Sequence, residues 1–206
     1  MRLTLLGVGA MNSPRYAPAG LLVEHRRRRV MLDGGPGAAP EGEIDAWLVT
    51  DERGELMREI RRLARAMGLE PAVKTYSSGG LTITRRRVVH TSHDAFGYLI
   101  EAGGGRIVWA PEFFEFPRWA AGADLMFAEA AGWDRPIHFR GGVGGHASAL
   151  DVAREARRRC VRRLILAHIG RPTIRAIDAG LRPPFGEFGE EGKVYILRRT
   201  TRNAKA

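Results

Sequence analysis

Of the six histidines in this 206-residue sequence, His90, His93, His146 and His168 fall at the ends of apolar runs or in loops of the second half. Imidazole can bind a metal, move a proton near neutral pH or pair with a carboxylate. Carboxylates stand at comparable places: Asp33 after "RRVML", Asp51 after "AWLVT" and Glu112 in "IVWAPEFF". Loops at strand ends are where sites are assembled. Any one of these histidines alone reads as a surface or hydrogen-bonded residue. Their company with carboxylates at other strand ends makes the group a candidate site. Tyr16 with Arg15, and His138 with Arg140, are surface-loop residues by type that could border the same cleft. The glycine runs "GGPG" and "GGVGGH" do not fit a P-loop and read as turns. Trp109, Phe113, Phe114 and Trp133 read as core or cleft wall, as large aromatics usually do.

The elements that would position these residues follow from periodicity. "RLTLLGV" and "GLLVEHRRRRVMLDGGPG" predict three short strands in a meander, and "IDAWLVT" predicts a fully apolar strand. In "GELMREIRRLARAMGLE" the apolar residues Leu56, Ile60, Leu63 and Met67 share one helix face, with Gly68 as a C-terminal stop. Further strands are expected at 72–76, 81–90, 95–102 and 105–110, with Gly103, Gly104 and Gly105 forming a hairpin turn. Strand and helix then alternate: "DLMFAEA", a long glycine-rich loop, a helix from about Ser148 to Arg159, "RLILAHI", a helix near 173–180 and a last strand "KVYILRR". Ser148 followed by Asp151 suits a helix N-cap. The order predicts two sheets facing each other between helical layers, in one domain over residues 1–206.

Composition bounds the rest. A chain with 44% hydrophobic and 27% charged residues is globular rather than disordered. The N-terminal apolar run is too short for a signal peptide or a spanning helix, so no membrane association and a cytoplasmic location are expected. A single cysteine, Cys160, excludes an internal disulfide framework and a thiolate-rich zinc site, and in "REARRRCVRRL" it reads as a buried thiol. The net charge of +10 is carried almost wholly by arginine, in clusters such as Arg26 to Arg29, Arg85 to Arg87 and Arg157 to Arg159. Nucleic acid is therefore a candidate partner, although aromatic stacking residues are not interleaved with the clusters.

Three segments taken in order, "LLGVGAMNSPRYAPAGLLVEHRRRRVMLDGGPG", "VVHTSHDAFGYLIEAGGGRIVWAPE" and "GGHASALDVAREARRRCVRRLILAHIGRP", resemble the metallo-β-lactamase superfamily, nearest its ribonuclease Z and phosphodiesterase branches. The likeness runs over roughly residues 2–172. It implies a four-layer αββα sandwich with a metal centre at one edge, where activated water attacks a phosphodiester, ester or amide. Carried over by position, His90 and His168 match metal ligands and Glu112 the bridging aspartate. His146 matches a histidine associated with catalysis, and Asp33 a structural aspartate.

The departure lies in "LVTDERGEL". The family's T-H-x-H-x-D-H would place its ligands at Asp51, Arg53, Glu55 and Leu56, so three histidines are missing. The usual two-zinc centre is not expected, because each zinc needs about three protein ligands and Arg53 has no lone pair to offer. Three readings stay open. In the first, His90, Glu112, His168 and Asp51 hold one divalent ion (manganese, iron, magnesium or zinc), with Glu55 beside them and His146 and Glu55 as the catalytic candidates. In the second, Arg53 replaces the metal by pairing with Glu112 or Asp51, and Arg53 and His93 bind an anion or nucleotide without cleaving it. In the third, the cleft is vestigial and the domain serves in assembly or surface binding. In the first two the partner is a small anionic substrate or ligand.

Overall fold

The computed structural model describes residues 1–141 and 144–197. Its first sheet is built by alternation. Strands β1 (Arg2–Gly7), β2 (Gly20–His25) and β3 (Arg28–Asp33) form the expected antiparallel meander, and β4 (Ala46–Leu48) adds parallel to β3. Leu21, Val23, Val30 and Leu32 point into the main core, while Leu22, Met31, Trp47 and Val49 point out of the opposite face. That outer face is covered by Met57, Ile60 and Ala64 of helix α1 (Met57–Ala66). The period of two in the strands and the helical spacing in α1 thus bury this sheet on both sides.

The second sheet takes β5 (Tyr76–Ser78), β6 (Leu81–Val88), β7 (Ala95–Ala102), β8 (Gly105–Ala110) and β9 (Leu125–Ala130). A short ribbon, β10 (Ile137–His138) with β11 (Gly145–His146), precedes helix α2 (Ala149–Arg158). Strand β12 (Leu164–Ile169), helix α3 (Arg171–Asp178) and strands β13 (Glu187–Phe188) and β14 (Val194–Ile196) complete the chain. The seven-stranded order is β13-β12-β9-β8-β7-β6-β5, and β14 returns to β1 at the edge of the other sheet, giving β14-β1-β2-β3-β4. Helix α2 lies on β9 and β12, with Ala149, Val152, Ala153 and Ala156 in the main core. The architecture is a four-layer αββα sandwich.

Several boundaries differ from expectation. The strand expected at 72–76 touches β4 only through an isolated bridge between Ala72 and Leu48, and pairing resumes at Tyr76 in the other sheet. Pro71, which has no N–H to give, precedes that bridge. The long loop after β9 contains the β10–β11 ribbon. The last strand is shorter than read: only Tyr195 of β14 is buried, and Arg198 and Arg199 lie outside the described residues. Cys160 is exposed rather than buried. It sits between the end of α2 and the start of β12, with φ +56°. The Ser148 cap is as expected, its hydroxyl accepting from Asp151 N–H at 3.1 Å, an interaction worth about 1 kcal/mol. No helix among the described residues is long and apolar enough to cross a membrane.

Candidate metal centre

The site lies at strand ends of the seven-stranded sheet and on the β10–β11 ribbon. His90 follows β6, Glu112 follows β8, Glu129 is on β9, His146 ends β11 and His168 is on β12. Glu112 bridges two imidazoles, with Oε2 at 2.9 Å from His90 Nε2 and Oε1 at 3.0 Å from His168 Nε2. Behind the histidines lies Glu129, which is fully buried. Its Oε1 accepts from Ala131 N–H at 2.8 Å and lies 3.1 Å from His168 Nδ1. Its Oε2 accepts from Phe113 N–H at 3.2 Å and lies 2.8 Å from His146 Nδ1. The third imidazole is fixed by main chain, with His90 Nδ1 at 2.9 Å from Gly145 O. A carbonyl oxygen only accepts, so His90 carries its proton on Nδ1 and turns Nε2 toward Glu112.

Charge follows from these contacts. Burial works against a charged His168, but Glu112 and then Glu129 outweigh it and raise its pKa to about 10. Burial would likewise raise Glu129, yet His146 and His168 hold it at about 2. Glu112 is held well below the usual carboxylate range against burial, by His168 first and His90 second. His90 is raised by Glu112 despite its own burial. The carboxylates of the centre are therefore neutralised by imidazoles.

The loop at residues 51–56 forms the facing wall. Asp51 accepts from Arg53 N–H at 2.8 Å through Oδ1 and contacts His93 Nε2 at 2.8 Å through Oδ2. Arg53 and Glu55 are exposed and line the same cleft as His90, His93, Glu112, His146 and His168. The expected pairing of Arg53 with Glu112 or Asp51 is not formed. Its side chain has no carboxylate within 4.0 Å among the described residues, and the Glu112 oxygens and Asp51 Oδ2 instead face His90, His168 and His93. Asp33 lies below the loop, its Oδ1 accepting from Thr50 N–H at 2.7 Å and Thr50 Oγ1 at 3.0 Å, and its Oδ2 from Trp109 Nε1 at 2.6 Å. Burial pushes this carboxyl up to about 6 against those hydrogen bonds. Asp33 and His168 both adopt left-handed backbone, φ +50° and +57°, a strain that surrounding structure must hold in place.

Arg15 instead pairs with Asp178 at 2.9 Å on the surface. His138 packs edge-on to Phe114, and Phe139 packs edge-on to both His90 and His146. Trp109 and Phe113 are core residues with no exposure, as read. Sequence reasoning missed Glu129. The signal was present: a carboxylate in the fully buried run "LMFAEA" requires partners, and burial of an unpaired glutamate is rare.

No family model and no curated protein matches the sequence. Solved structures do match. One is the metallo-β-lactamase fold protein YhfI from Bacillus subtilis, with TM-score 0.72 and 16% identity over 95% of this chain and 99% of that one. This chain has the metallo-β-lactamase fold. A diphosphatase from the PhnP family matches with TM-score 0.70 and 17% identity over 96% of this chain and 98% of that one. Zn(2+)-bound PqqB from Methylobacterium extorquens matches with TM-score 0.72 and 16% identity over 96% of this chain and all (100%) of that one. Within this metallo-β-lactamase fold, Glu129, His146 and His168 bring one ligand atom each within 4.8 Å of one another, a group that could hold one ion.

Proposed function

We propose that this chain is a metal-dependent hydrolase of phosphoesters or related esters, using one divalent ion. The observation that carries this reading is the fixing of all three buried-site imidazoles from behind. His90, His146 and His168 each present Nδ1 to an acceptor, leaving Nε2 as the nitrogen that can act in the cleft. A carboxylate or carbonyl behind an imidazole is the usual support for a metal-binding or proton-transferring histidine.

Those residues fit an ion. Glu129, His146 and His168 bring their ligand atoms within 4.8 Å of one another, and His90, Glu112 and His168 would offer two nitrogens and a carboxylate once an ion replaced the Glu112 contacts at 2.9 and 3.0 Å. Glu129 is better suited to support than to ligation, because both oxygens already serve a main-chain N–H and an imidazole. When bound, a divalent ion would lower the pKa of a water and stabilise charge on the reacting phosphoryl or acyl group. The chain's residues do the rest. His146, held by Glu129 through Nδ1, gives its Nε2 proton to the leaving oxygen as the ester bond breaks, while the water oxygen bonds to phosphorus and releases its own proton to solvent. Arg53, exposed on the opposite wall, orients an anionic oxygen of the substrate. The diphosphatase among the solved structures that match supports phosphorus as the reacting centre, and zinc-bound PqqB supports a metal.

The test uses bis(4-nitrophenyl) phosphate and protein stripped with a chelator. Activity should vanish on stripping and return with zinc or manganese. The His168→Ala variant, which removes a direct ligand, should lose more metal affinity than the roughly 10- to 100-fold that loss of a supporting partner costs. His146→Ala should retain metal and lose about 10²- to 10⁴-fold in kcat. Hydrolysis indifferent to chelation would overturn the reading.

A further inference from the structure

The cleft extends well beyond the reacting groups. Its volume is about 750 Å³, and from the polar end at Glu112 it continues along the loop to the start of α1. Leu56 stands at that end, and its carbonyl accepts Ile60 N–H at 2.9 Å, so the residue is held in the first turn of the helix. Pro18 lines the same wall. A methyl group placed on Gly35 would meet Pro18 Cγ at 3.6 Å and Leu56 Cδ1 at 3.8 Å, so the two side chains lie side by side over the glycine. Met57 and Ile60, which are buried, close the floor, and Met11, 37% exposed, lines the same cleft from the β1–β2 loop. At the rim stand Arg53 and Arg171, both exposed and neither within 4.0 Å of a carboxylate among the described residues.

An open apolar wall gains free energy when a ligand's apolar group replaces water on it, and unpaired cations favour an anion nearby. The arrangement has both features in one cleft. We propose that the lobe at Leu56 takes an alkyl or aryl group of the substrate, which is therefore an amphipathic phosphoester with its phosphoryl group at the Glu112 end. The proposal rests on the hydrolase reading for the choice of reacting end. The lobe itself is independent of turnover.

Binding of methyl-, butyl- and hexylphosphonate to the full chain, with and without zinc, tests this by titration calorimetry. Affinity should rise about two- to fourfold per added methylene. The slope should flatten in Leu56→Asn, a substitution that supplies a favoured N-cap and so spares α1, and in Met11→Ser at an exposed position. Affinity independent of chain length, or a slope unchanged in both variants, would overturn the proposal. A retained slope without hydrolysis of any phosphodiester would sink the hydrolase reading and leave the lobe standing. Hydrolysis at rates indifferent to the alkyl chain would do the reverse.

Discussion

Glu129 carries the greatest consequence of any single side chain. Its four contacts saturate both oxygens, so Glu129→Gln must break at least part of the set: an amide offers one acceptor oxygen and turns donors toward groups that are themselves donors. Either His146 or His168 loses its acceptor, because the one oxygen that remains can serve only one of them. The expected result is a loss of about 3–5 kcal/mol in urea unfolding, as for breaking one side of a buried charge pair. A chelator competition should show a parallel fall in metal affinity of about 10- to 100-fold. Unchanged unfolding would mean that the histidines are held by something else. This residue also marks the limit of what the sequence disclosed. His90, Glu112, His146 and His168 stand out because polar residues at strand ends are conspicuous by type. Glu129 hides inside an apolar strand, and its role appears only when β9 is seen between β8 and β12. The pairing of Asp51 with His93, 42 positions apart, was equally out of reach, because contact across loops depends on the packing of both sheets.

Among the elements, the β10–β11 ribbon shows how a turn signal can conceal a structural task. The run "GGVGGH" reads as a turn, yet Gly145 gives its N–H to His90 O at 2.9 Å while its own carbonyl accepts from His90 Nδ1. Gly145 has φ +153°, and a Cβ there would come within 1.9 Å of Ile137 O. No side chain fits without moving the ribbon. Gly145→Ala should therefore displace His146 together with the carbonyl that orients His90. The strain should cost about 1–3 kcal/mol, leaving the two-sheet core folded. Metal binding should suffer more than the unfolding midpoint does, which calorimetric metal titration beside thermal melting would show. A variant that binds metal normally would remove the ribbon from the site's support. The regular elements were legible earlier because their periodicity is local, as in α1 and β7. The ribbon has no such pattern. Its two-residue strands are defined by the partner they meet.

At the scale of the whole molecule, alternating burial predicted the two-sheet sandwich, but the chemistry of the centre decides how stable that sandwich is as pH changes. Consider first the protein without metal. His168 rises from 6.5 to about 10, so the folded state holds its proton more tightly than the unfolded chain does. That stabilisation is complete below pH 6.5 and is lost as pH rises through 10. Asp33, raised from 3.8 to about 6, acts in the same direction and has finished by pH 6. Glu129 acts oppositely: lowered from 4.5 to about 2, it stabilises above pH 4.5 and loses that contribution as pH falls through 2. The stripped protein should consequently be most stable in mildly acidic solution and weaken steadily from pH 6.5 to 10. A bound cation competes with the proton for His168 Nε2, so its affinity should rise over the same interval and its binding should release protons. Melting curves from pH 5 to 10, recorded in chelator and in excess zinc, should therefore diverge on the alkaline side, with the zinc-loaded protein keeping the stability that the stripped protein loses. Parallel curves at all pH values would show that the proton on His168 and the cation do not share a site. That result would leave the imidazole–carboxylate cluster as a structural network rather than a metal centre.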